Sequence, residues 1–181
     1  MKTYAAISAL TFALAIATAT RAQAQVAWSS IASGCVLQSA GQNLASVSAV
    51  SGTVSFKAGK HGDIKLTCPV QSVHDIVPGL AYNFVITFYN DHGFDGGVNH
   101  CYILADLLRS NLNNVEAGGD LGNIAAANQS FVGRQTLDRF TIETLDFSTS
   151  YYWVDIQLHR DTATAACNPT LVGTFVQQQL Q

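Results

Sequence analysis

Four groupings of side chains have the types and spacing for chemistry. The first is Asn90-Asp91-His92-Gly93-Phe94-Asp95-Gly96-Gly97. Carboxylates on either side of a glycine, followed by a glycine pair, look like the opening half of a calcium loop. The ligand set is incomplete. Gly93 stands where an oxygen ligand is needed, and Tyr102 stands where a bidentate glutamate would close the site. Asp91 and Asp95 are therefore expected to offer calcium a weak site at best. The plain alternative is a turn, which Asn, Asp and Gly favour anyway. The second grouping is histidine. His92 and His100 bracket the same loop, while His61 and His74 sit in other turns. Without a His-x-His or His-x-x-x-His pair, solvated loop imidazoles are expected rather than a zinc or copper site.

The third grouping is the alternating set Tyr151, Trp153, Asp155 and Gln157, with Tyr89 expected nearby. Flat rings interleaved with carboxylate and amide suit a sugar: a ring covers its apolar face and polar groups bind its hydroxyls. The same stripe would equally serve to pack beneath the long segment 110–133 or against a second subunit. The fourth is catalysis, and here the sequence offers little. His74 and Asp75 are adjacent, and neighbours on an extended chain point apart. No nucleophile elbow, zinc-protease motif, phosphate loop or dinucleotide fingerprint occurs. Glu116 and Glu143 are the only glutamates, so a glycosidase pair would have to be built from aspartates. No enzyme activity and no resident cofactor are expected.

These residues need strands to hold them. Val54 and Phe56 alternate with polar neighbours, and so do Ile64, Leu66, Cys68 and Val70. Period-two alternation buries one face and wets the other. Gly59-Lys60-His61-Gly62 separates the two runs, so an amphipathic hairpin is expected there. Pro69 should end that second arm or leave it at an edge. Residues 82–89 alternate strongly, and 100–109 are apolar on both faces, as a central strand requires. Further strands are expected at 26–31, 134–144 and 171–176, and at 151–160 with Tyr152, Val154, Ile156 and Leu158 inward. Segment 110–133 has no strong pattern, with a helical turn at most near Ile124-Ala125-Ala126-Ala127. The tally is eight or nine short strands, an all-β, single-domain antiparallel two-sheet sandwich of jelly-roll type.

The basic start, the short apolar run and Ala22-x-Ala24 read as a signal peptide over residues 1–24, leaving a domain at 25–181. The run is too short to span a bilayer, so no membrane insertion is expected. Removing Lys2 and Arg21 moves the formal charge from −3 to −5, which argues against nucleic acid as a partner. Cys35, Cys68, Cys101 and Cys167 are an even set in an exported chain, hence two disulfides, in a secreted or periplasmic protein. Of three possible pairings, Cys35–Cys68 and Cys101–Cys167 tie segments in sequential order. Each such bridge adds roughly 4 kcal/mol in the chain-entropy model.

The runs Gly52 to Val70, Tyr89 to Gly93 and Tyr151 to Leu158 together resemble a set of uncharacterised exported bacterial β-sandwich proteins that share a Cys-Pro-Val motif. The resemblance implies compartment and fold, and no activity. Function classes therefore rank as a binding module for carbohydrate or cell-envelope components, then a self-associating structural subunit that pairs Val26 to Ile31 or the C-terminal tail onto a neighbour's sheet edge. A hydrolase without a recognisable motif comes last.

Overall fold

The computed structural model describes residues 26–71, 81–90, 101–112, 119–126, 132–141, 145–163 and 165–178. The calcium-loop residues Asp91 and Asp95, the histidines His74, His92 and His100, and the signal segment 1–24 all lie outside the described residues.

Eleven strands are present among them: β1 Val26–Ile31, β2 Val36–Leu37, β3 Ala45–Ser48, β4 Thr53–Phe56, β5 Gly62–Val70, β6 Tyr82–Asn90, β7 Cys101–Asn111, β8 Asp120–Ala126, β9 Gly133–Thr141, β10 Ser150–Arg160 and β11 Thr170–Gln178. They form two sheets. One runs β3-β4-β11-β6-β9, with β1 also on β11, and the other runs β2-β5-β10-β7-β8. All pairings are antiparallel. The expected count of eight or nine falls short because β2 is only two residues long and β8 arises inside segment 110–133. That segment was expected to be irregular, with a helical turn near Ile124. Instead β8 pairs with β7, and Ile124 and Ala126 point into the core.

The largest departure concerns the hairpin. Val54, Phe56, Ile64, Leu66, Cys68 and Val70 are all buried, as their alternation requires. Yet β4 lies in the six-stranded sheet and β5 in the five-stranded one. The chain between them crosses from one sheet to the other, and Gly59 and Gly62 supply the positive φ (69° and 114°) for that crossing. Alternation tells which side chains face the core; it does not tell which sheet they come from.

The core lies between the sheets. Phe84, Ile86 and Phe88 come from β6, Ile103 and Leu107 from β7, and Val154, Ile156 and Leu158 from β10. Each such side chain contributes about 1.5–3 kcal/mol by leaving water. Both disulfides form as expected, Cys35–Cys68 and Cys101–Cys167. The second joins the sheets, since Cys101 opens β7 and Cys167 stands just ahead of β11.

β1 pairs with β11 on the edge opposite β6, with Ser30 opposite Thr174 and Ile31 opposite Gly173, and it buries Trp28. A Cβ at position 173 would stand 2.7 Å from the Ser30 carbonyl oxygen, so only glycine lets the strand approach this closely. Gly173→Ala should destabilise the protein by about 1–3 kcal/mol, the usual cost of forcing extra volume into a packed site. A lowered urea midpoint at constant slope checks this, and an unchanged midpoint would show that β1 does not lie against Gly173.

Candidate functional site

The candidate site is the outer face of the five-stranded sheet. Its middle strand, β10, pairs over most of its length with β5 on one side and β7 on the other. Ser150, Tyr152, Val154, Ile156, Leu158 and Arg160 turn inward, and the alternate residues turn out. Tyr151 is 68% exposed, whereas Trp153, Asp155, Gln157 and His159 are half-buried among their neighbours. The strand's start is fixed by a polar turn. Asp146 accepts hydrogen bonds from Ser148 and Thr149, which hold its carboxyl below the usual range, and its own N–H donates to Tyr152 Oη at 2.7 Å.

Cross-strand register sets which groups meet. Trp153 stands between Pro69 and Leu108, Asp155 between Thr67 and Asp106, Gln157 between Lys65 and Leu104, and His159 between Asp63 and Tyr102. The face is therefore graded, apolar at the Tyr151 end and increasingly polar toward His159. Two depressions follow the grading. One of about 530 Å³ lies at the start of β10, lined by outward Pro69, Tyr151 and Trp153 together with Gln71, Phe147 and the inward Val70, Ser150 and Tyr152. The other, of about 340 Å³, is lined by Gln38, Lys65, Leu104, Asp106, Asp155 and Gln157.

The polar groups are tied down. Gln38 Nε2 donates to Thr67 Oγ1 at 3.2 Å, and Thr67 Oγ1 donates to Asp155 Oδ1 at 2.7 Å. Asn123 Nδ2, on β8, donates to Asp106 Oδ1 at 3.1 Å. Gln157 Nε2 donates to Asp63 Oδ1 at 2.8 Å and approaches Tyr102 Oη at 3.4 Å. His159 Nδ1 lies 2.6 Å from the same Asp63 oxygen, and its ring stacks on Tyr102 with centroids 4.4 Å apart. Partial burial pushes the Asp63 carboxyl up, but hydrogen bonds from His159 and Gln157 and the charges of His159 and Lys65 outweigh it, leaving the group below its ordinary value. Burial and the Asp63 charge push the Tyr102 hydroxyl up.

Four of the expected residues, Tyr151, Trp153, Asp155 and Gln157, do share one face. Tyr89 does not join them. It is 46% exposed on β6, in the other sheet, and the inward set Tyr82, Phe84, Ile86 and Phe88 turns it to the opposite side of the sandwich. Sequence reading stopped at β10 and missed the flanking strands: Asp106, Thr67, Lys65, Gln38 and Pro69. Asp106 did carry a signal, as the one acid within the apolar run 101–109. Asp63 and His159 converge, but the groups that join them are Gln157 and Tyr102, and among the described residues no serine or threonine hydroxyl completes a Ser-His-Asp arrangement with them. Among the described residues no group of three or more His, Cys, Asp or Glu side chains is placed to hold a metal ion.

No protein-family model and no curated protein matches the chain. Solved structures do match. One described as "CBM4 structure and function" has 13% identity and a TM-score of 0.41, over 82% of this chain and 96% of the other. The potassium-bound carbohydrate recognition domain of Emp46p has 11% identity and a TM-score of 0.46, over 82% and 90%. An arabinose-bound GH51 α-L-arabinofuranosidase has 8% identity and a TM-score of 0.37, over 86% of this chain and 27% of that one. At such scores none of them bears on what this chain binds.

A depressed Asp63 pKa means that the carboxylate's favourable contacts stabilise the fold above its ordinary pKa, and that this contribution is lost as pH falls through the lower folded value. His159→Ala removes the principal donor. The Asp63 carboxyl carbon, followed by NMR, should then titrate at higher pH than in the parent protein, and an unmoved midpoint would show that His159 does not govern it.

Proposed function

We propose that this protein is a non-catalytic carbohydrate-binding module of an oxidising, extracytoplasmic compartment, and that it binds through the outer face of the five-stranded sheet. One observation carries the reading: Trp153 and the exposed Tyr151 share a strand face with Asp155 and Gln157, so ring platforms and fixed hydrogen-bonding groups open onto the same surface. A ring as exposed as Tyr151 costs solubility and adds nothing to the core, so its place on this face supports a contact role. Sugars need both kinds of group at once, since they carry apolar ring faces edged by hydroxyls. The held carboxylates and amide lower the entropy lost on binding. Two disulfides suit such a compartment. No described helix is long and apolar enough to cross a membrane.

The assembly reading has less support. β1, one of the two segments expected to pair with a neighbour, pairs with β11 of its own chain, and Gln177 and Gln178 at the start of the tail, the other segment, pair with β6.

The test is tryptophan-fluorescence titration and calorimetry of the oxidised protein against neutral plant, fungal and bacterial glycans. Trp153→Ala should weaken binding by about 2 kcal/mol, roughly 30-fold in Kd, as expected of an aromatic anchor. Binding that survives the substitution unchanged would move the site elsewhere. The glycan should be recovered intact. Release of new reducing ends would instead make Asp106 and Asp155 a hydrolytic pair, because directly opposed residues bring their Cβ atoms to about 5 Å.

A further inference from the structure

We infer that the ligand is a linear, non-anionic oligosaccharide laid along β10, with one sugar on the Trp153 platform and the next units over Asp155 and Gln157. This rests on the carbohydrate reading and extends it to length and charge.

Length follows from the two depressions. Both are lined by β10, the first by residues from its start at Ser150 to Trp153 and the second by Asp155 to Gln157, with Tyr151, Trp153, Asp155 and Gln157 as the outward side chains. Trp153 and Asp155 are neighbours on that face, about 7 Å apart along the strand, so the depressions adjoin. Tyr151 to Gln157 spans about 20 Å. A single sugar ring fills one depression and leaves the other in water. The depressions also differ in chemistry. The first presents Pro69 and the rings of Tyr151 and Trp153; the second presents Asp106, Asp155, Gln157, Gln38 and Lys65. One ring cannot use both sets, but a chain of rings can, because each unit repeats an apolar face and a hydroxyl edge.

Charge follows from the register. Asp155 and Asp106 oppose each other directly, and Lys65 is the lone cation among the residues of that depression. Like charges directly opposed on neighbouring strands repel. Each is held through one oxygen by a neutral donor, Thr67 or Asn123, which fixes its position without cancelling its charge. An occupant that brings hydroxyl donors relieves the repulsion, and one that brings a carboxylate or sulfate adds to it. Uronic-acid and sulfated chains are therefore excluded.

The experiment is calorimetry of the full-length oxidised protein against glucose, mannose and N-acetylglucosamine series of one to six units, with galacturonate oligomers as the anionic counterpart. In the series that binds, affinity should rise at least about tenfold from one unit to four and then level off, with galacturonate oligomers at least about tenfold weaker. Asp106→Asn and Asp155→Asn, checked for unchanged melting, should narrow that gap. A neutral series that binds equally at every length overturns the inference while leaving the carbohydrate reading standing. Galacturonate oligomers that bind as tightly as neutral ones overturn its charge component. Absence of binding in every series overturns both the inference and the reading beneath it.

Discussion

The site depends on the registration of one strand. β10 is locked between β5 and β7 by a ladder that pairs Tyr152 with Val70 and Arg109 and continues to Arg160 opposite Gly62 and Cys101. Because side chains alternate strictly, a slip of one residue would turn Tyr152, Val154, Ile156 and Leu158 to water and bury Trp153, Asp155 and Gln157. Exposing that apolar set and burying a carboxylate would cost several kcal/mol. The core thus sets the position of the face that looks away from it. Arg160 secures the far end: it is nearly buried, and its guanidinium donates to the carbonyls of Lys60, Ala163 and Ala165. Those carbonyls belong to the chain entering β5 and to the chain leading to Cys167.

Much of this arrangement can be read along the sequence. Alternation alone places the inward and outward residues of β10 correctly, and it marks β7 as an interior strand because both its faces are apolar. Cysteine count and order point to the two bridges. What a linear reading lacks is knowledge of neighbours. The β4 and β5 runs look like a hairpin because hairpins and sheet crossings carry the same alternation and the same glycines. β8 escapes notice because an edge strand needs only Ile124 and Ala126 inward, and small residues fill the rest. The candidate site was legible as one strand, and its remaining half comes from β5, β7, β8 and the segment after β2, which only pairing assembles. Tyr89 shows the converse error: similarity of residue type is no guide to which side of a sandwich a ring occupies.

The outer face also departs from what folding alone would favour. Directly opposed carboxylates at Asp106 and Asp155 weaken a sheet relative to neutral choices, and Tyr151 leaves most of its ring in water where it adds little to packing. Their polar neighbours are spent on orienting these groups rather than on neutralising them. Such local departures from stability gather where a protein meets something else.

The pairing of β1 with β11 has a kinetic side. β11 is the central strand of its sheet, flanked by β6 on one side and by β1 and β4 on the other, and it is the last of the described strands. β1, the first described strand, therefore waits for β11 before its backbone groups find partners, whereas β4 and β6 also have β3 and β9 to pair with. Sheets dominated by such distant contacts close slowly. Until residues 170–178 are in place, the six-stranded sheet lacks the strand that joins β3-β4 to β6-β9, and the edges of those two pairs that β11 would cover are open to other chains.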